Sequence, residues 1–134
     1  MSALAWAVKA SLLGYVRGMP DGRIELDGVT EQGEGFVFPA ADADSGRFTG
    51  TVTLLGHGGM MRVVLADPWL TPQGDGAVLS IADPDDPTVR LDFARIARFD
   101  GAAATGTTLT IDGADLFFGP YTEGTELDDP RIIA

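Results

Sequence analysis

The sequence contains no cysteine, a single histidine, and nine lysine or arginine residues against twenty aspartate or glutamate residues. Without cysteine there are no disulfide bonds and no thiolate metal sites, which is compatible with a reducing or an oxidising compartment. The net charge of −11 argues against nucleic acid and anionic membrane surfaces, because both are bound through basic patches. We therefore expect no nucleic-acid partner.

Long apolar runs are also missing from the chain. No stretch reaches the length of about eighteen apolar residues that a membrane-spanning helix needs, and Lys9 interrupts the apolar opening. We therefore expect no direct membrane insertion and no signal peptide within residues 1–16. A cytoplasmic location is expected if Met1 is the natural start. Otherwise the protein would be secreted or held at the cell surface after removal of a signal, and the location stays open.

The motifs of common hydrolases are absent as well. There is no Gly-x-Ser-x-Gly sequence and no cysteine nucleophile, and one histidine cannot be both a general base and part of a multi-histidine metal site. Carboxylates are so numerous that chance pairs among them are uninformative. Hydrolytic activity is therefore poorly supported.

What is present is the composition of a folded protein. With 134 residues, of which 45% are hydrophobic, the chain is expected to form a single domain over 1–134. Only the residues beyond about Pro130 are expected to be loose.

The first segment has the pattern of an amphipathic helix that begins at a Ser2 cap and ends at Gly18. Its apolar stripe consists of Leu4, Val8, Leu12 and Tyr15. We therefore expect a helix of about three turns, with Tyr15 on its buried face near the C-terminal end.

The rest of the chain alternates apolar and polar residues in short segments separated by glycine and proline. Strands are predicted at 23–26, 36–39, 47–55, 61–66, 77–81, 89–96 and 107–111. A short helical segment is predicted at 114–118, before Gly119 and Pro120. Residues 83–87 have the pattern of a solvated hairpin turn, since they lack the alternating oxygen ligands of a calcium loop. The expected fold is mainly β, an antiparallel sandwich or barrel-like arrangement with an N-terminal helix and a short C-terminal helical segment.

Three residues stand out as candidate iron ligands: Tyr15, His57 and Tyr121. A phenolate oxygen can hold a ferric haem iron, and a neighbouring imidazole can accept the hydrogen bond of the phenol and favour the deprotonated ligand. Residue chemistry alone leaves a second interpretation open. The tyrosines could be residues at the edge of the core, and the histidine could simply lie in a glycine-rich turn.

Five short motifs follow one another along nearly the whole chain. They are Trp6, Val8 and Lys9 leading to Tyr15; Gly35, Phe36, Phe38 and Pro39; Gly50, Val52, Gly56 and His57; Asp67 and Pro68; and Phe118, Tyr121, Gly124, Thr125, Leu127 and Asp128. In this order the motifs resemble the haem-transport-associated (HtaA) domain family of high-GC Gram-positive bacteria.

The resemblance implies a haem-binding module for capture or transfer of ferric haem, that is, ferric protoporphyrin IX. It implies that Tyr15 is the metal ligand, that His57 is the hydrogen-bonding partner of the ligand, and that Tyr121 is a further pocket residue. Met60 and Phe118 would belong to an apolar wall together with Met61 and Phe117. Residue type alone leaves open that these four are ordinary core residues.

Two further functions stay open beside haem binding. The fold could serve as a haem-free interaction or accessory subunit, and a haem-dependent enzyme is the less favoured alternative, since no dedicated distal catalytic group is evident. Haem is the expected partner, and another haem-transport protein is a candidate second partner. The acidic chain would need local cations for the haem propionates, and Lys9, Arg17 and Arg62 lie nearest to the motifs.

Overall fold

The structure is a computed structural model that describes residues 2–42, 46–117, 119 and 121–134. Short antiparallel strands make up most of it. In chain order the elements are β1 (Ala3–Trp6), α1 (Ala10–Gly18), β2 (Arg23–Asp27), β3 (Thr30–Gln32), β4 (Gly35–Pro39), β5 (Thr51–Gly56), β6 (Met61–Ala66), β7 (Trp69–Gln73), β8 (Gly76–Ala82), β9 (Arg90–Phe99), β10 (Ala104–Leu109), α2 (Ile111–Asp115) and β11 (Arg131–Ile133). A 3₁₀ turn, His57–Gly59, connects β5 to β6.

The described strands form three antiparallel sheets. The first has the order β11-β1-β4-β3, the second β10-β9-β8-β7, and the third β2-β5-β6. Isolated bridges join the first sheet to the second on two sides: Ala103 pairs with Arg131, Ala40 with Phe48, and Arg47 with Trp69. The predicted mainly β, antiparallel and barrel-like fold with two helical segments is confirmed.

The core follows from the alternation of side chains along the strands. Phe36 and Phe38 of β4 and Val52 and Leu54 of β5 are buried, while their neighbours in sequence are more exposed. Burying one such side chain contributes about 1.5–3 kcal/mol. The first sheet, through β4, and the third sheet, through β5, therefore both contribute buried side chains to the core, and α1 packs against β2 and β5 of the third sheet.

The prediction for the N-terminus is wrong in its first half. Residues 3–6 form β1, which pairs with β4 and β11, and the helix begins only at Ala10, with Lys9 in the cap position instead of Ser2. Buried Leu4 and Trp6 alternate with less buried alanines, which is the period of a strand. Leu4 also lies on the helical stripe with Val8 and Leu12, so the sequence fits both structures. Val8 then turns the chain with φ of 61°, which no helix allows. The helix ends at Gly18 as predicted.

The C-terminal region also differs from the prediction. Residues 131–133 are not loose, because β11 pairs with β1 and places Ile132 opposite Leu4. The second helix begins at Ile111 instead of Ala114, since Thr110 Oγ1 accepts a hydrogen bond from Gly113 N–H at 2.9 Å and caps the helix earlier. Phe118 and Pro120, on which the predicted end of this helix depended, lie outside the described residues.

The other predicted strands lie close to their predicted bounds, with the strand predicted over 47–55 observed at Thr51–Gly56. Strands β3 and β7 were not predicted. Residues 83–87 form the predicted hairpin turn between β8 and β9, where Asp83 Oδ1 accepts a hydrogen bond from Asp85 N–H. Within the part of the chain that the structure describes, no helix combines the length and the apolar character needed to cross a membrane.

Candidate functional site

A pocket of about 940 Å³ lies between α1, the third sheet and the segment that follows α2. The three parts of its wall come from distant points in the sequence. The residues that line it are Leu12, Tyr15, His57, Met60, Met61, Val63, Leu116, Phe117 and Tyr121. Most of these side chains are apolar, and the polar ones are Tyr15, His57 and Tyr121.

Helix α1 contributes Leu12 and Tyr15, which are three residues apart and therefore lie on one side of the helix. Leu12 is buried, but Tyr15 is 53% exposed. The prediction that Tyr15 lies on the buried face is wrong, because Leu12, Leu13 and Val16 form that face and Tyr15 lies at its margin. The margin of the buried face is also the wall of the pocket, so the phenol is accessible to a ligand.

His57 lies in the tight turn between β5 and β6. The turn has three successive positive φ angles, 52° at His57, 63° at Gly58 and 92° at Gly59. A residue with a Cβ rarely adopts this conformation, whereas glycine does so readily. The two glycines therefore let the chain reverse within a few residues and place the imidazole at the pocket wall.

The structure brings Tyr15 and His57 together. Tyr15 Oη and His57 Nε2 are hydrogen-bonded at 2.7 Å, and the ring centroids are 5.7 Å apart with the planes inclined at 44°. Either atom can donate, depending on the imidazole tautomer. The pair can therefore share one proton, and the imidazole can take the phenol's proton when the oxygen binds a cation.

Tyr121 closes the pocket on the side of the second helix. Its ring meets that of Phe117 edge to face, with centroids 5.1 Å apart, and Phe117 continues inward to Phe93 and Trp6. Burial raises the pKa of the Tyr121 phenol above its usual range. Tyr121 therefore remains a neutral phenol at neutral pH, which suits a wall residue better than an anionic ligand.

The apolar wall includes most of the predicted residues. Met60 is 83% exposed at the pocket mouth, and Met61 and Phe117 lie deeper. Phe118 lies outside the described residues. Leu12, Val63 and Leu116 also line the pocket and were not predicted as site residues. Each has a signal in the sequence: Leu12 precedes Tyr15 by three residues, Val63 follows Met61 by two along a strand, and Leu116 adjoins Phe117.

The three cations nearest to the motifs are not part of the pocket lining. Lys9 Nζ donates a hydrogen bond to the Glu126 carbonyl at 2.9 Å. Arg62 alternates with Met61 and Val63 along β6, and Arg17 follows Tyr15 by two residues on the helix, so both positions are on other faces. Over the described residues, no three histidine, aspartate or glutamate side chains form a candidate metal site.

Comparison with known proteins gives a consistent result for almost the full length of the chain. The family model HtaA (Htaa) matches residues 1–132. The crystal structure of the C-terminal domain of HtaA from Corynebacterium glutamicum is similar, with 25% identity, a TM-score of 0.77, and coverage of 98% of this chain and 93% of that chain. The crystal structure of the haem-binding protein HtaB from Corynebacterium glutamicum has 21% identity, a TM-score of 0.73, and coverage of 98% and 96%. The comparison with curated proteins found no match.

Proposed function

The chain belongs to the HtaA family, and from this premise we propose that it is a haem-binding module for capture or transfer of ferric haem. Tyr15 would supply the oxygen ligand to the haem iron, and His57 would be the hydrogen-bonding partner of that ligand. The observation that carries the proposal is the 2.7 Å contact between Tyr15 Oη and His57 Nε2 at the wall of an apolar pocket. A solved structure of the same fold is a haem-binding protein by name, which supports the proposal.

The residues of the pocket fit a haem group. Its volume of about 940 Å³ is near the upper end of the range for small-molecule sites. The mostly apolar wall suits the faces of a porphyrin, and the exposed Tyr15 phenol supplies one oxygen donor to an iron at its centre. A haem bound in this way is held as the ferric form, since a phenolate is a hard donor that favours ferric over ferrous iron.

Each side chain then has a defined task. Tyr15 would provide the ligand oxygen to a bound haem, and His57 would accept the phenol's proton and donate a hydrogen bond to the phenolate. Phe117, Tyr121 and Met60 contact the ring and exclude water from part of it. Because Met60 and Tyr15 are largely exposed, the site is accessible from solvent, as a protein that hands its ligand to another requires.

A hemin titration followed by absorbance tests the proposal. Wild type is expected to bind one hemin saturably, and Tyr15→Phe is expected to lose most of the affinity and to give a different spectrum. Tyr121→Phe is the matched control, since it removes a phenol oxygen from the same pocket and should retain the wild-type spectrum. Absence of saturable binding by wild type, together with a stable complex with another protein, would favour the haem-free accessory function.

A further inference from the structure

The turn that carries His57 has few side-chain contacts to hold it. His57, Gly58, Gly59 and Met60 are all exposed. The internal hydrogen bond from Met60 N–H to the His57 carbonyl, 3.1 Å long, closes the turn but does not fix its position against the rest of the protein. Two glycines in succession also give this segment an unusually large conformational freedom. Something outside the turn must therefore hold the imidazole next to Tyr15.

Asp21 makes such a contact from the loop between α1 and β2. Its Oδ2 accepts a hydrogen bond from Gly58 N–H at 2.5 Å. The acceptor is a carboxylate, and hydrogen bonds of this kind are shorter and stronger than those between neutral groups. The bond joins the residue directly after His57 to the loop directly after the helix that carries Tyr15.

The same loop also packs against the beginning of the turn. The end of the Met19 side chain lies directly against Gly56, where an added Cβ would force this flexible side chain to move. Met19 N–H in turn donates to the Val16 carbonyl at the end of α1, which ties the loop to the helix. The loop that follows α1 therefore contacts the His57 turn at two points, Gly56 and Gly58.

We propose that Asp21 is a positioning residue that holds the His57 turn in register with Tyr15, acting through the Gly58 backbone. The part of this inference that concerns haem rests on the proposed function. Two hydrogen bonds join this part of the protein to the turn. The Tyr15–His57 bond joins α1 to the turn directly, and the Asp21–Gly58 bond joins the loop after α1 to the turn. Loss of the Asp21–Gly58 bond lets the imidazole move away from the phenol, although Tyr15 and His57 are both still present.

The first test uses the haem-free protein. Amide hydrogen exchange of Gly58, followed by nuclear magnetic resonance, should be about tenfold faster in Asp21→Ala than in wild type, because the exchange-protecting bond is lost. Contacts between the Tyr15 and His57 rings should weaken in the same spectra. Asp21→Asn keeps an acceptor oxygen and should restore part of the protection. Asp27→Ala, which removes the same charge at the far end of β2, should match wild type.

The second test uses the haem-loaded protein and an excess of an apoglobin as acceptor. Haem loss from Asp21→Ala should be several-fold faster than from wild type, but no faster than the roughly tenfold increase expected when the group that orients the ligand, His57, is itself removed. The rate of haem loss from Asp21→Asn should lie between those of Asp21→Ala and wild type, and the rate from Asp27→Ala should equal that of wild type.

Unchanged Gly58 exchange in Asp21→Ala would overturn the inference, and so would faster exchange with intact Tyr15–His57 ring contacts. A rate of haem loss from Asp21→Ala that equals the rate from Asp27→Ala would also overturn the inference. Failure of wild type to bind haem would instead refute the proposed function. In that case, the exchange rates and ring contacts of the haem-free protein still decide whether Asp21 positions His57.

Discussion

Replacing His57 by alanine measures the contribution of the imidazole apart from that of the Tyr15 phenol. The substitution removes the 2.7 Å bond to Tyr15 Oη and leaves the phenol itself in place. Groups that orient a metal ligand typically contribute tenfold to a hundredfold to affinity, or about 1.4–2.7 kcal/mol. His57 is exposed, and water can partly replace the lost bond, so we expect the lower end, a weakening of about tenfold.

The assay is hemin affinity, measured by absorbance at equal pH and ionic strength for wild type and His57→Ala. His57→Gln is the matched control, because glutamine can restore a hydrogen bond to the phenol. Backbone strain at φ of 52° is common to all three side chains and should cancel in the comparison. A complete loss of binding in His57→Ala, together with retention in Tyr15→Phe, would refute the reasoning and make the imidazole the ligand.

Three further predictions concern the turn, the core and the response to acid. Gly58→Val should lower hemin affinity and thermal stability, since a β-branched residue at φ of 63° costs about 1–2 kcal/mol; full hemin binding by this variant would contradict the placement of the turn. Phe93→Ala should cost about 3–5 kcal/mol of unfolding free energy in urea, because the ring is fully buried, and a loss below about 1 kcal/mol would argue against this packing. Hydrogen bonds from the Ala103 and Ala102 N–H groups hold the pKa of Asp100 below its ordinary value, so its contribution to stability is present at neutral pH and is lost as the pH falls below about 4. Thermal melts between pH 2 and 7 should show a smaller acid-induced loss for Asp100→Ala than for wild type, and equal losses would contradict this assignment.

Strands such as β5 and β6 could be predicted because one side of each is buried, which leaves an alternating pattern in the sequence. Strand β3 was missed because all three of its residues are exposed and leave no such pattern, and β7 was missed as well. The segment at residues 3–6 could not be predicted, since Leu4 belongs both to a helical stripe with Val8 and Leu12 and to a strand alternation with Trp6. Its partners decide the outcome, and these are β4 and β11, far away in the sequence. For the same reason β11 was missed: a three-residue edge strand exists only because β1 lies beside it.

In the candidate site, too, some features could be predicted from the sequence and others could not. Tyr15 and His57 could be singled out by residue chemistry and by the family resemblance, but their contact depends on how α1 lies against β5. The contribution of Asp21 could not be predicted, because an aspartate before a glycine is an ordinary turn signal and its acceptor role depends on Gly58, 37 residues further on.

The most direct test of Tyr15 as the haem ligand is resonance Raman spectroscopy of the ferric haem complex, which detects iron-bound phenolate through its enhanced vibrations. We expect these vibrations in wild type and in Tyr121→Phe, and we expect them to be lost in Tyr15→Phe. Phenolate vibrations that persist in Tyr15→Phe, or that disappear in Tyr121→Phe, would contradict this expectation.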